Sequence, residues 1–89
     1  MNKRILVIDD DPMIRGLVKA MLEAEGYEVT LAEDGIKGVE LLDNEPRPIN
    51  FCLLILDVVM PGMNGLEVLT RLKLQPHTEA LPVLSQNSS

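Results

Sequence analysis

The chain contains no tryptophan, one tyrosine and one phenylalanine in 89 residues, so its core must be built from Leu, Val, Ile and Met. Cysteine is equally scarce. The single Cys52 excludes an intramolecular disulfide and a cysteine-based metal cluster, and inside an apolar run it reads as a small core side chain suited to a reducing cytoplasm. Positive charge is in deficit too: eight basic residues face fourteen acidic ones, for a formal net charge of -6. That balance disfavours nucleic acid or an anionic membrane as partner and favours a cation. Long hydrophobic runs are missing: the longest, residues 51–56, is far too short to span a bilayer. The basic start "MNKRILVIDDD" carries an apolar stretch that three aspartates cut off, so no signal peptide fits and a soluble, cytoplasmic protein is expected.

What is present is a globular composition, 46% hydrophobic and 25% charged, in a length that allows one small, marginally stable domain. "RILVI" (4–8) is a continuous apolar run, the pattern of a strand buried on both faces, and it stops at Asp9. Asp11 and Pro12 then open a helix whose stripe is Ile14, Leu17, Val18, Met21 and Leu22, with Gly26 at its end. "YEVTLA" (27–32) predicts a second strand. A second helix runs over about 35–44, with Ile36, Val39 and Leu42 inward, and "NEPRP" stops it. "FCLLIL" (51–56) is the third strand and ends in Asp57. After the loop "VVMPGMNG", Asn64 caps a third helix that turns Leu66, Leu69 and Leu72 to the core, and "LPVL" (81–84) begins a fourth strand before a polar tail, 85–89.

Strands alternating with helices imply an α/β fold with a parallel sheet covered on both faces, whose ligand site lies at the carboxyl ends of the strands. Both apolar strands end in acid there. If the first and third are neighbours, Asp9, Asp10 and Asp57 converge; the bland alternative is that each is a solvated turn residue, which suits Asp11 best. Two carboxylates about 4 Å apart repel by roughly 4 kcal/mol at an effective dielectric of 20, so the convergence calls for a cation. Oxygen donors on a partly open site favour Mg²⁺ or Mn²⁺. A metal beside a carboxylate permits attack by that carboxylate on a phosphoryl group. His77, on another connection, reads as a solvated loop residue and not a ligand.

"ILVIDDDP", "EDG" at 33–35 and "LLILDVVMPGMNGLEVL" together resemble the receiver domain of bacterial two-component response regulators, over nearly all of residues 3–84. The resemblance implies a flavodoxin-like fold, of which this chain holds about three and a half βα units, in strand order 2-1-3 with a partial fourth strand. It implies that Asp57 is the phosphoacceptor, that Asp10 is a direct Mg²⁺ ligand with Asp9 acting through water, and that the backbone carbonyl of Val59 is a further ligand. Pro61 and Gly65 match residues that shape the loop. The partner implied is a histidine kinase or phosphotransfer protein, and no independent enzymatic turnover is expected.

The departures carry expectations of their own. The family places a Ser or Thr at the end of strand four and a Lys at the end of strand five. Here only Ser85 and Ser88 offer a switch hydroxyl, and the Lys has no counterpart, so the chain reads as a truncated receiver with impaired switching and output. An open edge at the third and fourth strands and a bare sheet face beside the first helix predict a homodimer, perhaps by exchange of residues 81–85. Two alternatives stand beside this reading: a non-signalling oligomeric interaction protein derived from a receiver, and a haloacid-dehalogenase-like phosphatase using D-x-D at Asp9 and Asp11, for which Met13 is the wrong residue.

Overall fold

The computed structural model describes residues 3–57 and 65–86, the last of these in its backbone alone. They form β1 (Arg4–Ile8), α1 (Pro12–Ala24), β2 (Glu28–Ala32), α2 (Gly35–Asn44), β3 (Leu53–Asp57), α3 (Gly65–Leu74) and β4 (Val83–Gln86). The strands make one sheet in the order β2-β1-β3-β4, every adjacent pair parallel. This is the flavodoxin-like arrangement expected.

Alternation along the strands divides the sheet into two buried faces. Leu6, Ile8, Leu54 and Leu56 pack with Val39 and Leu42 of α2 and Val68 and Leu72 of α3. Ile5, Val7 and Ile55 point the other way, against Val18 and Leu22 of α1. Burial on both sides is why β1 and β3 are continuously apolar rather than alternating.

Local chemistry sets the helix ends. Asp11 Oδ1 accepts from the N–H groups of Met13 (2.9 Å) and Ile14 (3.4 Å), with Pro12 at the first helical position where its missing N–H costs nothing. Asp34 Oδ1 accepts from Lys37 N–H at 2.8 Å and caps α2 in the same way. Gly26, at φ +91°, supplies the left-handed residue that ends the α1 segment.

Four inward assignments are corrected. Ile36 is 53% exposed and Leu66 66% exposed, because each helix seats on a glycine one residue earlier than the leucine-isoleucine spacing suggests. On α2 the buried stripe is Gly35, Gly38, Val39 and Leu42; on α3 it is Gly65, Val68 and Leu72. A residue next to a glycine at the contact is rotated about 100° away from it. On α1 the stripe is only half covered, with Leu17 (56%) and Met21 (61%) exposed. The fourth strand also differs in extent: β4 continues through Ser85 and Gln86, two residues into the expected polar tail. Ladder hydrogen bonds to β3 are made by the main chain and need no apolar side chain, and at the edge of the described sheet polar side chains can meet water.

Gly38 has a measurable consequence. A Cβ there would overlap Cδ1 and Cγ1 of Ile8, the latter at 2.7 Å, and Ile8 is fully buried. Overpacking costs about 1–3 kcal/mol while alanine gains roughly 1 kcal/mol in helix propensity. Gly38→Ala should therefore destabilise the domain by a net of up to ~2 kcal/mol in urea unfolding. Combined with Ile8→Val, which removes Cδ1, most of the overpacking should disappear; strictly additive effects would contradict the contact.

Candidate functional site

The register levels the strand ends. Ile8 pairs with Leu56, so Asp9 and Asp57 follow side by side at the carboxyl edge of the sheet. Both are fully buried and Asp10 is exposed. One carboxylate oxygen from each of the three lies within 4.8 Å of the others. The convergence expected from sequence is present.

The β1–α1 turn holds this geometry. Asp9 N–H donates to the carbonyl of Ala32 at 3.2 Å, and Asp11 N–H donates to Asp9 Oδ1 at 2.9 Å. Arg15 reaches back from α1, its Nη1 donating to the Asp9 carbonyl at 2.7 Å. Sequence reading passed over Arg15, although its position one helical turn after the Asp11 cap is a usable signal that it faces the strand end. Asp11 itself is committed to capping, as its turn reading implied.

Burial pushes the Asp9 carboxyl above the ordinary carboxylate range. The Asp11 N–H opposes that shift, and the negative charges of Asp57, Asp10 and Asp11 add to it. Three carboxylates, two of them out of water, form the oxygen-only donor set that hard divalent cations take. The residues present fit such an ion.

Of the other sequence candidates, Gly65 is the buried first residue of α3. Ser85 is exposed and pairs with Leu56, one residue short of the level of Asp57, which Gln86 faces. Val59, Pro61, Asn64 and Ser88 lie outside the described residues. His77 is away from the aspartate cluster, but it is not the solvated loop residue expected. Its side chain is only 18% exposed and its Nε2 lies 3.5 Å from Asp43 Oδ1. The α3–β4 connection folds inward because the buried Thr78 hydroxyl donates to the Leu72 carbonyl at 2.6 Å, closing the end of α3.

A family model described as the response regulator receiver domain matches residues 5–89. The chain belongs to the response regulator receiver family. The receiver is 40% identical over 89 residues to the transcriptional regulatory protein CpxR of Escherichia coli, covering 100% of this chain and 35% of the relative. It spans less than two thirds of the length of the curated relatives it matches. Among solved structures, the N-terminal domain of a response regulator receiver protein from Methanoculleus marisnigri is 38% identical with a TM-score of 0.87, over 97% of this chain and 67% of that one. The response regulator TrrA from Thermotoga maritima, solved in complex with Mg²⁺-BeF, is 43% identical with a TM-score of 0.73, over 83% of this chain and 61% of that one. Receivers are signalling domains rather than typical enzymes, and the match sets aside the dehalogenase-like reading of Asp9 and Asp11. No helix among the described residues is long and apolar enough to cross a membrane.

Proposed function

We propose that this receiver is a phosphoacceptor in a two-component phosphorelay, with Asp57 as the residue that takes the phosphoryl group. The observation that carries this reading is the meeting of Asp9, Asp10 and Asp57 at one sheet edge; the Mg²⁺-BeF complex of the Thermotoga relative supports it. Asp9, Asp10 and Asp57, with the backbone carbonyl of Val59, would hold Mg²⁺ or Mn²⁺. Exposed Asp10 suits the direct ligand and buried Asp9 the supporting acid. An ion bound there supplies positive charge against the oxygens of an incoming phosphoryl group.

The rest of the chemistry belongs to the chain. A carboxylate oxygen of Asp57 forms a bond to phosphorus while the bond from phosphorus to the donor breaks, and the donor leaves with that electron pair. The donor is the phosphohistidine of a histidine kinase or phosphotransfer protein, or a small acyl phosphate. The product is an aspartyl phosphate, which water returns to the carboxylate and inorganic phosphate. Arg15 keeps the β1–α1 turn in place through the Asp9 carbonyl, so that Asp9 and Asp10 stay convergent on Asp57.

Incubation with acetyl phosphate and Mg²⁺ tests this. Intact-mass analysis should show one added phosphoryl group, absent when Mg²⁺ is chelated and absent in Asp57→Asn. Incorporation that survives Asp57→Asn would contradict the assignment.

A second reading concerns assembly. Leu17 and Met21 on α1 and Leu84 on β4 are each more than half exposed. Leu84 pairs with Ile55 and so shares the α1 side of the sheet, and β4 has no neighbour on its outer side among the described strands. A second copy of the chain covering this strip gives a homodimer. Light scattering should then report a dimer at micromolar concentration that Leu84→Lys dissociates; a compact monomer for the parent chain would contradict it.

A further inference from the structure

A recess of about 650 Å³ opens at the amino-terminal ends of β3 and β4, the opposite end of the sheet from the aspartates. Its floor is apolar. Phe51 and Leu81 are 6% and 7% exposed and belong to the core, with Ile49 packed beside them. Three prolines, Pro48, Pro76 and Pro82, stand in its walls. Their fixed φ angles keep the walls in place without a ligand, and volume and lining fall within the range of small-molecule sites.

The rim carries one unmatched charge. Nη1 of Arg47 donates to the carbonyls of Asp43 (2.9 Å) and Glu45 (3.1 Å), which anchors the guanidinium. Among the described residues, its Nε and Nη2 have no acceptor. Asp43 and Glu45, whose carbonyls hold Arg47, have their carboxylates engaged elsewhere. Glu45 pairs with Arg4 at 2.6 Å, and Asp43 faces both His77 at 3.5 Å and Arg71 at 4.0 Å. Arg4 in turn lies over the Phe51 ring, 4.2 Å from its centroid, and helps fix the aromatic part of the floor. An apolar floor beside an anchored guanidinium with free donors complements a molecule with an apolar body and one carboxylate.

We propose that this recess binds a small amphipathic carboxylate, its apolar body on Phe51 and Leu81 and its carboxylate on Nε and Nη2 of Arg47. The site shares no residue with the aspartate cluster, so it stands or falls independently of phosphorylation at Asp57.

Amide-resolved NMR titration of the full chain tests it, with 4-phenylbutyrate as probe and the neutral 4-phenylbutyramide as its control. The carboxylate should give saturable shifts at Ile49, Phe51, His77, Ala80 and Leu81, and the amide should bind about tenfold more weakly, since a charge-assisted contact is lost. Arg47→Gln should weaken the carboxylate by a similar factor and leave the amide unchanged, while Arg47→Lys should recover part of the loss. Ala80→Phe, which fills the recess without touching the charge, should abolish both. Shifts that fail to saturate, equal affinity for acid and amide, or shifts at these positions that appear with protein concentration alone would overturn the proposal, the last by making a second chain the occupant.

Discussion

In buffer stripped of divalent cations at neutral pH, Asp9→Asn is expected to be more stable than the parent chain by about 1–3 kcal/mol in urea unfolding followed by circular dichroism. Asp9 and Asp57 are both fully buried, with carboxylate oxygens inside 4.8 Å of each other and of Asp10. Charges that far apart repel by roughly 3 kcal/mol at an effective dielectric of 20. Asparagine removes one charge and keeps an Oδ1 that still accepts from the Asp11 N–H. The pH dependence has a definite sign. The folded-state value of Asp9 lies above the ordinary 3.8, so folding takes up a proton in between. The group opposes folding least below 3.8, and stability falls as pH rises through the higher folded value. The advantage of Asp9→Asn should thus vanish below about pH 3.8 and reach its full size at neutral pH. Saturating Mg²⁺ should narrow or reverse it, because an ion that binds only the folded chain stabilises it by ~2.7 kcal/mol at a hundred times its dissociation constant. A variant less stable than the parent in metal-free buffer at neutral pH would contradict the electrostatic account.

Leu42→Ala and Leu66→Ala are expected to differ by several kcal/mol although both leucines sit on helices at positions read as inward. Leu42 is fully buried in the core cluster between the sheet and its helices, whereas Leu66 is 66% exposed. Truncating a buried leucine removes its transfer free energy and leaves a cavity, at about 2–5 kcal/mol. That is a large share of the ~5–15 kcal/mol that holds a domain folded. The exposed substitution should stay within roughly 0.5 kcal/mol. With no tryptophan in the chain, circular dichroism is the suitable probe. Equal losses at the two positions would mean that α3 is turned differently on the sheet.

These leucines mark where the sequence ceased to be readable. β1, β3 and their terminal aspartates were legible because two-sided burial leaves an unbroken apolar run and the sheet edge ends it abruptly in acid. The parallel order followed from alternation, and Asp11, Pro12 and Gly26 gave the bounds of α1 through local chemistry. Helix rotation was harder. Ile36 and Leu66 fit a three-and-four spacing as well as their buried neighbours do, and on α2 the deciding contact, Gly38 against Ile8, joins residues thirty positions apart. β4 ran past its apolar start because main-chain pairing with β3 does not register in side-chain hydropathy. Arg15 and the recess near Arg47 were missed for a related reason: each depends on groups that only the tertiary fold brings together.

The carboxyl edge of the sheet gathers Asp9, Asp10 and Asp57, and the proposal is that they form a single cation site that serves the phosphoacceptor. Paramagnetic broadening by substoichiometric Mn²⁺ tests it most directly, read amide by amide. Broadening centred on residues 8–11 and 56–57, displaced by excess Mg²⁺ and greatly weakened in Asp57→Asn, is the result predicted. Broadening spread over the acidic surface, or centred on 9–11 and unchanged by Asp57→Asn, would contradict it.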